Sequence, residues 1–320
     1  MLTVIFATRD RAQCLPRVLS AFAALQPPPG GWALTIVDNG SRDGTASVVH
    51  GFADRLPVTL LQCPDPGKNR ALNCALPLVR GDLVVFTDDD ILPAPDWLLA
   101  LRRAADAHPE ATLFGGTVSL EWPAPPPRWL SERTVEFSVV YCKNERPSGP
   151  CRVSRIFGAN MAIRSAVFAA GARFAEHVGP DATNPVYTMG SETELLRRLH
   201  GQGHATWFAA EARVTHIIRP EQLEEPWILD RAYRFGLSAG PLGLPFVFGI
   251  QCIADRFGLS VGPLSVRWLF GVQRIAYRVA AGASLLLPPS PGSRLRLRYR
   301  DRLLAGVADH LALSPNRPPA

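Results

Sequence analysis

Three consecutive aspartates, Asp88, Asp89 and Asp90, are the sharpest chemical signal in this chain. They follow the apolar run Leu83–Phe86, which reads as a buried strand. Adjacent carboxylates repel one another unless water solvates them or a cation lies between them. At the end of a buried strand they favour a hard divalent ion, Mg²⁺ or Mn²⁺, which also binds phosphate oxygens. The alternative is an exposed acidic turn that caps the helix near Asp96.

A second block starts at Asp38 and reads Asp-Asn-Gly-Ser-Arg-Asp-Gly-Thr. Here a strand stops at a carboxylate, the chain turns through Gly40, and a helix starts after Ser41 or Asp43. Asp38 is placed to accept a hydrogen bond from a base or ribose. The same turn would also form without any ligand, so this block alone does not decide the function.

A third block, residues 67–73, reads Gly-Lys-Asn-Arg-Ala-Leu-Asn. It predicts a basic helix N-terminus, which suits phosphate through both the helix dipole and the side-chain charge. Basic first turns are also common on exposed helices, so the signal is weak by itself.

Strands and helices alternate in the part of the chain that carries these blocks. The sequence predicts strands at 2–7, 34–37, 58–61 and 83–86 and helices at 13–25, 45–53 and 69–78. Apolar strands separated by helices indicate an α/β fold with a mainly parallel, Rossmann-like sheet covered on both faces. Ligands of such sheets bind beyond the carboxyl ends of the strands, where the polar blocks lie.

The order and spacing of the blocks resemble the nucleotide-sugar-binding half of inverting glycosyltransferase family 2, with the GT-A fold. The resemblance covers roughly residues 2–219. It implies that Asp90 binds the metal, Mg²⁺ or Mn²⁺, that bridges the donor diphosphate. The donor contacts that we assign with this resemblance are Thr8, Arg9, Asp38, Arg70, Asp88, Asp89 and Asn160.

The acceptor side is predicted from two later segments. Residues 157–164, which contain Asn160, resemble the family's Gly-x-Asn segment beside the donor sugar; a buried strand with one hydrogen-bonded Asn is the alternative. Residues 189–195 resemble its Gly-Glu-Asp-x-Asp-Leu block, with Ser191 replacing the first acid and Glu192 in the place of the catalytic Asp.

An inverting transfer needs one base near the acceptor hydroxyl, and Glu192 is the candidate. It would equally serve as a capping carboxylate on the helix that follows, and the two roles are compatible. His216 lies where several GT-A enzymes complete the metal site with a histidine, although a lone His after a strand is more often structural.

The composition fits a folded protein, since 47% of the residues are apolar and 19% are charged. The net charge of +6 suits anionic partners, but no module typical of nucleic-acid binding appears, so nucleic acid is not an expected partner. The six cysteines form no Cys-x-x-Cys pair, and the chain starts as a strand rather than as an export signal. A cytoplasmic protein with reduced thiols is predicted, with pairing of Cys142 and Cys151 as the alternative.

We expect a GT-A domain over residues 1–239, with a nucleotide-sugar half at 1–120 and an acceptor half at 121–239. Residues 240–320 are predicted to form a helical appendage. Residues 235–254 carry no charge but contain two prolines and several glycines, which argues against a spanning helix. Peripheral contact with a membrane, supported by the basic run at 294–300, is favoured over packing on the main domain or a dimer contact.

The sequence therefore predicts an inverting, metal-dependent glycosyltransferase that moves a sugar from a nucleoside-diphosphate sugar, most commonly uridine-based, to an acceptor hydroxyl. A sugar, a polysaccharide or a lipid-linked intermediate would each fit as the acceptor. Two alternatives stay open. One is a non-catalytic nucleotide-sugar-binding protein. The other is a sugar nucleotidyltransferase, which would normally show a Gly-rich loop after the first strand.

Overall fold

The computed structural model describes residues 1–181, 187–238 and 291–313. This part of the chain divides into two compact units. Unit 1 contains the described residues of Met1–Glu121, Cys142–Pro185 and Ser191–Ile217, and unit 2 contains those of Trp122–Tyr141, Val186–Gly190 and Ile218–Ala320. The predicted boundaries at 120/121 and 239/240 stay predictions, and residues 239–290 lie outside the described part.

Unit 1 is built on a sheet that has nine strands within the described residues. They are β1 Leu2–Thr8, β2 Trp32–Asp38, β3 Val58–Gln62, β4 Leu83–Phe86, β5 Ile91–Pro93, β6 Ala111–Glu121, β7 Gly149–Pro150, β8 Met161–Arg164 and β9 Ala205–Ile217. The order is β3-β2-β1-β4-β8-β6-β9-β5, with β7 also paired to β9. The pairs among β3, β2, β1 and β4 are parallel, as is β6 with β9. Strands β8, β5 and β7 are antiparallel to their neighbours.

Helices cover the sheet of unit 1. They are α1 Leu15–Ala23, α2 Thr45–His50, α3 Lys68–Ala75, α4 Trp97–Ala107, α6 Ala166–Ala169 and α7 Ser191–Gly201, while α5 Phe137–Val140, α8 Glu225–Leu237 and α9 Pro291–Leu313 belong to unit 2. Short 3₁₀ turns occupy Leu76–Leu78, Val153–Arg155, Gly158–Asn160 and Pro220–Leu223.

Both faces of the central strands are buried. In β1, Val4 and Phe6 belong to the apolar cluster that contains Phe22 of α1 and Trp97 of α4. The residue between them, Ile5, belongs to a second cluster that contains residues of α3 and α7. Because successive strand side chains point to opposite faces, this alternation shows a sheet with a core on each side. The predicted mainly parallel, two-faced α/β fold is confirmed.

The four predicted strands are found, each within two residues of its expected ends. Helix ends differ more. The helix expected at 69–78 ends at Ala75 and continues as the 3₁₀ turn that contains Pro77, because proline cannot donate the next helical hydrogen bond. The helix expected to extend to residue 53 ends at His50, just before Gly51.

Unit 2 holds two helices in close contact. A Cβ at Gly306 of α9 would overlap the Tyr233 carbonyl oxygen of α8, and one at Gly236 would overlap the Leu303 carbonyl oxygen. Only glycine permits this backbone approach. Within the ranges that the structure describes, no helix is both long and apolar enough to cross a bilayer.

Candidate active site

The carboxyl ends of three parallel strands bring the predicted donor residues to one edge of the sheet. Thr8 at the end of β1 is in register with Asp38 at the end of β2. Strand β4 pairs with the other side of β1 and leads, through Thr87, to the three aspartates. Parallel strands end on the same side, so residues far apart in sequence share this edge.

Asp89 is the most enclosed of the three aspartates, with a residue exposure of 9%. Its Oδ2 accepts hydrogen bonds from the Thr8 hydroxyl at 2.9 Å and from Nε of Arg11 at 3.2 Å. Burial, followed by the neighbouring charge of Asp90, raises the pKa of Asp89 to about 6, although Arg11 and Thr8 work in the opposite direction. This edge therefore carries more buried negative charge than Arg11 compensates.

Lys68 connects Asp88 to Glu192. Its Nζ lies 2.7 Å from Oδ1 of Asp88 and 2.6 Å from Oε1 of Glu192. The Ser191 hydroxyl donates to the other Glu192 oxygen at 2.8 Å. Burial alone would raise the pKa of Glu192, but the Lys68 ammonium outweighs it and holds that pKa below its ordinary value. Glu192 is thus an ionised carboxylate in the first turn of α7, although 124 residues separate it from Lys68.

Gly158 makes room for the Glu192 side chain. A Cβ at this position would overlap the carboxyl carbon of Glu192. The glycine of the Gly-x-Asn segment is therefore needed for space, because any larger residue would displace the carboxylate.

Asp90 and His216 face each other across the β5–β9 pair. Ile91, the residue after Asp90, is in register with His216. The His216 Nε2 and the Asp90 Oδ2 are 3.5 Å apart, with side-chain exposures of 11% and 16%. Within the described ranges, no group of three or more His, Cys, Asp or Glu side chains is arranged to hold a metal ion by itself.

Asp38 is 3% exposed. It accepts hydrogen bonds from the Ser41 backbone N–H at 2.8 Å and from the Gln62 amide at 3.2 Å. The next residue, Asn39, donates to the carbonyls of Cys63 and Asp65 and accepts from the Gly67 N–H. This turn therefore fixes the segment that leads into α3.

The side chains of the two predicted donor arginines, Arg9 and Arg70, are more exposed than the site carboxylates. Nε of Arg9 lies 3.6 Å from Asp10, and Nε of Arg70 lies 3.1 Å from Glu176. The Arg70 side chain is 40% exposed. Exposed ion pairs of this kind contribute little stability, so a phosphate would displace either carboxylate at small cost.

Asn160 is fully buried and is hydrogen-bonded within the protein. Its Nδ2 donates to the carbonyls of Thr117 and Ala212, at 2.9 and 2.8 Å, and its Oδ1 accepts from the Trp97 indole at 2.9 Å. The β6–β9 register shifts between Gly116 and Thr117, at the point where this amide bridges the two strands. These contacts match the alternative of a hydrogen-bonded core residue.

The acidic-turn alternative for the three aspartates does not describe the structure. Asp96 itself precedes α4, and β5 separates the aspartates from that helix. Each aspartate instead has its own partner: Lys68 for Asp88, Arg11 for Asp89 and His216 for Asp90.

Three site residues were not singled out from the sequence: Arg11, Lys68 and Gly158. Lys68 was seen only as part of a basic helix start. Its position after Gly67, whose φ is +126°, marks a sharp turn that aims the first helical side chain inward. No local pattern pairs Lys68 with Glu192.

The chain belongs to glycosyl transferase family 2, whose model matches residues 3–171. Two relatives come from Haloferax volcanii. A glucosyl-dolichyl phosphate glucuronosyltransferase is 27% identical over 212 residues, 64% of this chain and 65% of that protein. Glycosyltransferase AglE is 25% identical and matches over 72% of this chain and 75% of its own length. The match thus spans less than two thirds of the first relative.

Two kinds of solved structure share the fold. The Pyrobaculum calidifontis mannosyltransferase PcManGT, in complex with GDP-Man and Mn²⁺, has a TM-score of 0.61 at 20% identity and covers 97% of this chain and 86% of its own. The S. aureus TarS fragment 1-349 with UDP-GlcNAc has a TM-score of 0.52 at 15% identity, with coverages of 98% and 92%. At these identities the likeness establishes the GT-A fold.

Proposed function

We propose that this protein transfers a sugar, with inversion, from a nucleoside-diphosphate sugar to an acceptor hydroxyl. The observation that carries the proposal is the convergence of Asp38, Asp88, Asp90 and Glu192 on the carboxyl edge of the sheet in unit 1. In an open α/β sheet this edge is the ligand site. Family membership supports the same reaction class.

Glu192 is the base in this proposal. An ionised carboxylate that is held by Lys68 and Ser191 is ready to accept a proton from an acceptor hydroxyl. The deprotonated oxygen attacks the anomeric carbon from the side opposite the leaving diphosphate, which inverts the configuration. Lys68, between Asp88 and Glu192, brings positive charge next to the donor residue and the base.

Asp90 and His216 would hold Mg²⁺ or Mn²⁺. One carboxylate and one imidazole suit a hard or borderline cation that also takes phosphate oxygens and water as ligands. When bound, the ion supplies positive charge against the departing diphosphate. Two protein ligands would be enough for such a site, because substrate oxygens and water would supply the remaining ligands.

The donor contacts are assigned to Thr8, Arg9, Asp38, Arg70, Asp88 and Asp89. We propose a uridine donor first; the solved neighbours carry GDP-Man in one case and UDP-GlcNAc in the other. The sequence predicts that Asn160 touches the donor sugar. Its three internal hydrogen bonds support a positioning role instead, in which Asn160 holds the surrounding strands in place. The two Haloferax relatives carry the names of glycosyltransferases, one of them acting with a dolichyl phosphate sugar, which supports a lipid-linked acceptor among the candidates.

We also propose peripheral contact with the cytoplasmic face of an anionic membrane, through unit 2. On α9, Arg294 and Arg296 are exposed and are not engaged in an ion pair within the described residues. Gly292 of the same helix lies against Trp129 and Thr134, whose neighbours Arg128 and Arg133 are also exposed. Four arginines around one helix start suit lipid phosphates.

The domain division that we propose keeps residues 1–239 as the catalytic domain and 240–320 as the appendage. The family match ends at residue 171, within the first of these. Unit 1 holds every assigned site residue.

A donor panel tests the function. The full-length protein is incubated with UDP-, GDP- and dTDP-sugars and Mn²⁺, and the release of nucleoside diphosphate is measured with and without a lipid extract as acceptor source.

Glu192→Gln should lower transfer by at least about 100-fold while donor binding changes little. Glu194→Gln, on the same helix, is the matched control. Binding without release from any donor would favour the binding-protein alternative, and formation of a sugar nucleotide from a sugar phosphate would favour the nucleotidyltransferase.

A further inference from the structure

Two cysteines meet beside the segment that leads to Lys68. Cys63 follows β3 and is buried, with an exposure of 4%, whereas Cys74 lies on α3 and is exposed. Their sulfur atoms are 2.8 Å apart although the residues are 11 positions apart in the chain. Neither thiol has a place in the transfer chemistry proposed above.

The pair closes a short loop that carries the start of α3. Asn39 holds this loop by donating to the Cys63 carbonyl at 2.8 Å and the Asp65 carbonyl at 2.7 Å. The loop ends at Gly67, whose N–H donates back to Asn39. A covalent bond between the two sulfurs would therefore tie the end of β3 to the helix that begins at Lys68.

We propose that Cys63 and Cys74 form an oxidative modification site, a reversible intramolecular disulfide that spans the connection between β3 and α3. A disulfide bond is about 2.05 Å long, so the sulfurs need to approach each other by less than about 1 Å. Paired cysteines in reducing compartments are usually transient or redox-sensing, which fits a pair that rests as two thiols.

The oxidant is a low-molecular-weight disulfide, and the exchange balances in two steps. The Cys74 thiolate attacks one oxidant sulfur, forms a mixed disulfide and releases the first small thiol. The Cys63 sulfur then attacks Cys74 while its proton passes to the departing small thiolate, which forms the protein disulfide and releases the second small thiol. The two cysteine protons end on the two released thiols, and the oxidant takes up two electrons.

The environment sets the order of these steps. Burial, followed by the hydrogen bond with Cys74, raises the pKa of Cys63 to about 12, so its thiol stays protonated and unreactive toward outside reagents. Cys74 is exposed and reacts first. The proposal rests on the sulfur geometry alone and stands independently of the proposed transfer activity.

Peptide mapping tests the site in the native full-length chain. The protein is treated with oxidised glutathione, quenched by alkylation and digested with trypsin. Cleavage after Lys68 and Arg70 leaves Cys63 in residues 56–68 and Cys74 in residues 71–80. The expected product joins these two peptides, is lighter by two hydrogens than their sum, and is released by dithiothreitol. Oxidation should also raise the melting temperature.

Cys74→Ser should abolish both the joined peptide and the melting shift, and Cys151→Ser should keep both. Because Cys74 is exposed, we expect this change to leave folding intact. The proposal is overturned by a stable glutathione adduct on Cys74 with an alkylated Cys63. A cross-link that forms only in urea, or one that joins two chains on a non-reducing gel, overturns it as well.

Discussion

At the scale of single residues, the site is a set of carboxylates, each of which faces a basic side chain. Asp88, Asp89 and Asp90 are consecutive, yet they face Lys68, Arg11 and His216, which come from three different parts of the chain. This division of partners reduces the repulsion among three adjacent carboxylates but does not remove it, because the charge of Asp90 still helps to raise the pKa of Asp89.

Lys68 sets the pH range in which Glu192 works as a base. Because the Lys68 ammonium keeps the pKa of Glu192 below its ordinary value of 4.5, the step of the kcat/KM profile that belongs to Glu192 should lie below about pH 4.5, under the step near pH 6 that Asp89 adds. Lys68→Met removes the positive charge and keeps Glu192 buried, so the Glu192 step should move to higher pH. Profiles of both proteins give the comparison; an unmoved lower step would show that Glu192 is not the titrating base.

The same ion pair affects stability with a definite sign. A carboxylate with a lowered pKa in the folded state contributes stability above its unfolded pKa and loses it as the pH falls through the folded value. Glu192 therefore stabilises the native protein at neutral pH through Lys68. This contribution should fade only in strong acid.

Asp90 should be required for metal binding in the presence of nucleotide. Because the predicted site has only two protein ligands, we expect Mn²⁺ to bind the free protein weakly and to bind tightly once UDP is added. Calorimetry with UDP present should show that Asp90→Asn weakens Mn²⁺ binding at least about 10-fold. Asp96→Asn, beyond β5, is the control and should bind as the wild type does. Equal affinity in all three proteins would refute the metal assignment.

At the scale of elements, the turn before β8 meets the first turn of α7 at Gly158, where the absence of a Cβ leaves space for the Glu192 side chain. Gly158 faces the carboxyl carbon of Glu192, so the carboxylate keeps its position only if residue 158 is glycine. The base is thereby held by its steric surroundings as well as by Lys68.

Gly158→Ala should therefore damage catalysis more than stability. The added methyl group displaces Glu192, and we expect kcat to fall by about 10- to 100-fold because a misplacement near 1 Å has that effect. Gly201→Ala at the end of α7, where no atom lies within 4 Å of an added Cβ, is the matched control. Steady-state kinetics and a melting curve on both variants separate the effects. Wild-type kcat in Gly158→Ala would contradict the assigned geometry.

At the scale of the whole molecule, the arginines near the site and those around the start of α9 differ in their surroundings. The arginines of unit 1 near the site pair with acids or lie close to the donor residues, whereas those around the start of α9 face solvent. A surface with four such arginines favours anionic lipid by about 1 kcal/mol per residue.

Liposome flotation checks the membrane proposal. The full chain should float with vesicles that contain anionic lipid, and less with purely zwitterionic ones, and salt should weaken the binding. The double variant Arg294→Gln/Arg296→Gln should reduce flotation. Arg80→Gln/Arg103→Gln, two exposed arginines of unit 1, removes the same charge elsewhere and should leave flotation unchanged. An equal loss of flotation in both double variants would show that net charge, and not this surface of unit 2, causes the binding.

The fold class, the four parallel strands and most of the polar residues at their ends could be predicted from the sequence. This was possible because strand periodicity and strand-end residues are local properties of the chain. Family resemblance already predicted that His216 joins Asp90, whereas only the tertiary structure showed Lys68 between Asp88 and Glu192. Lys68 and Glu192 are 124 positions apart, and no local pattern encodes their contact, since it depends on strand order and on the space that Gly158 leaves for the Glu192 side chain.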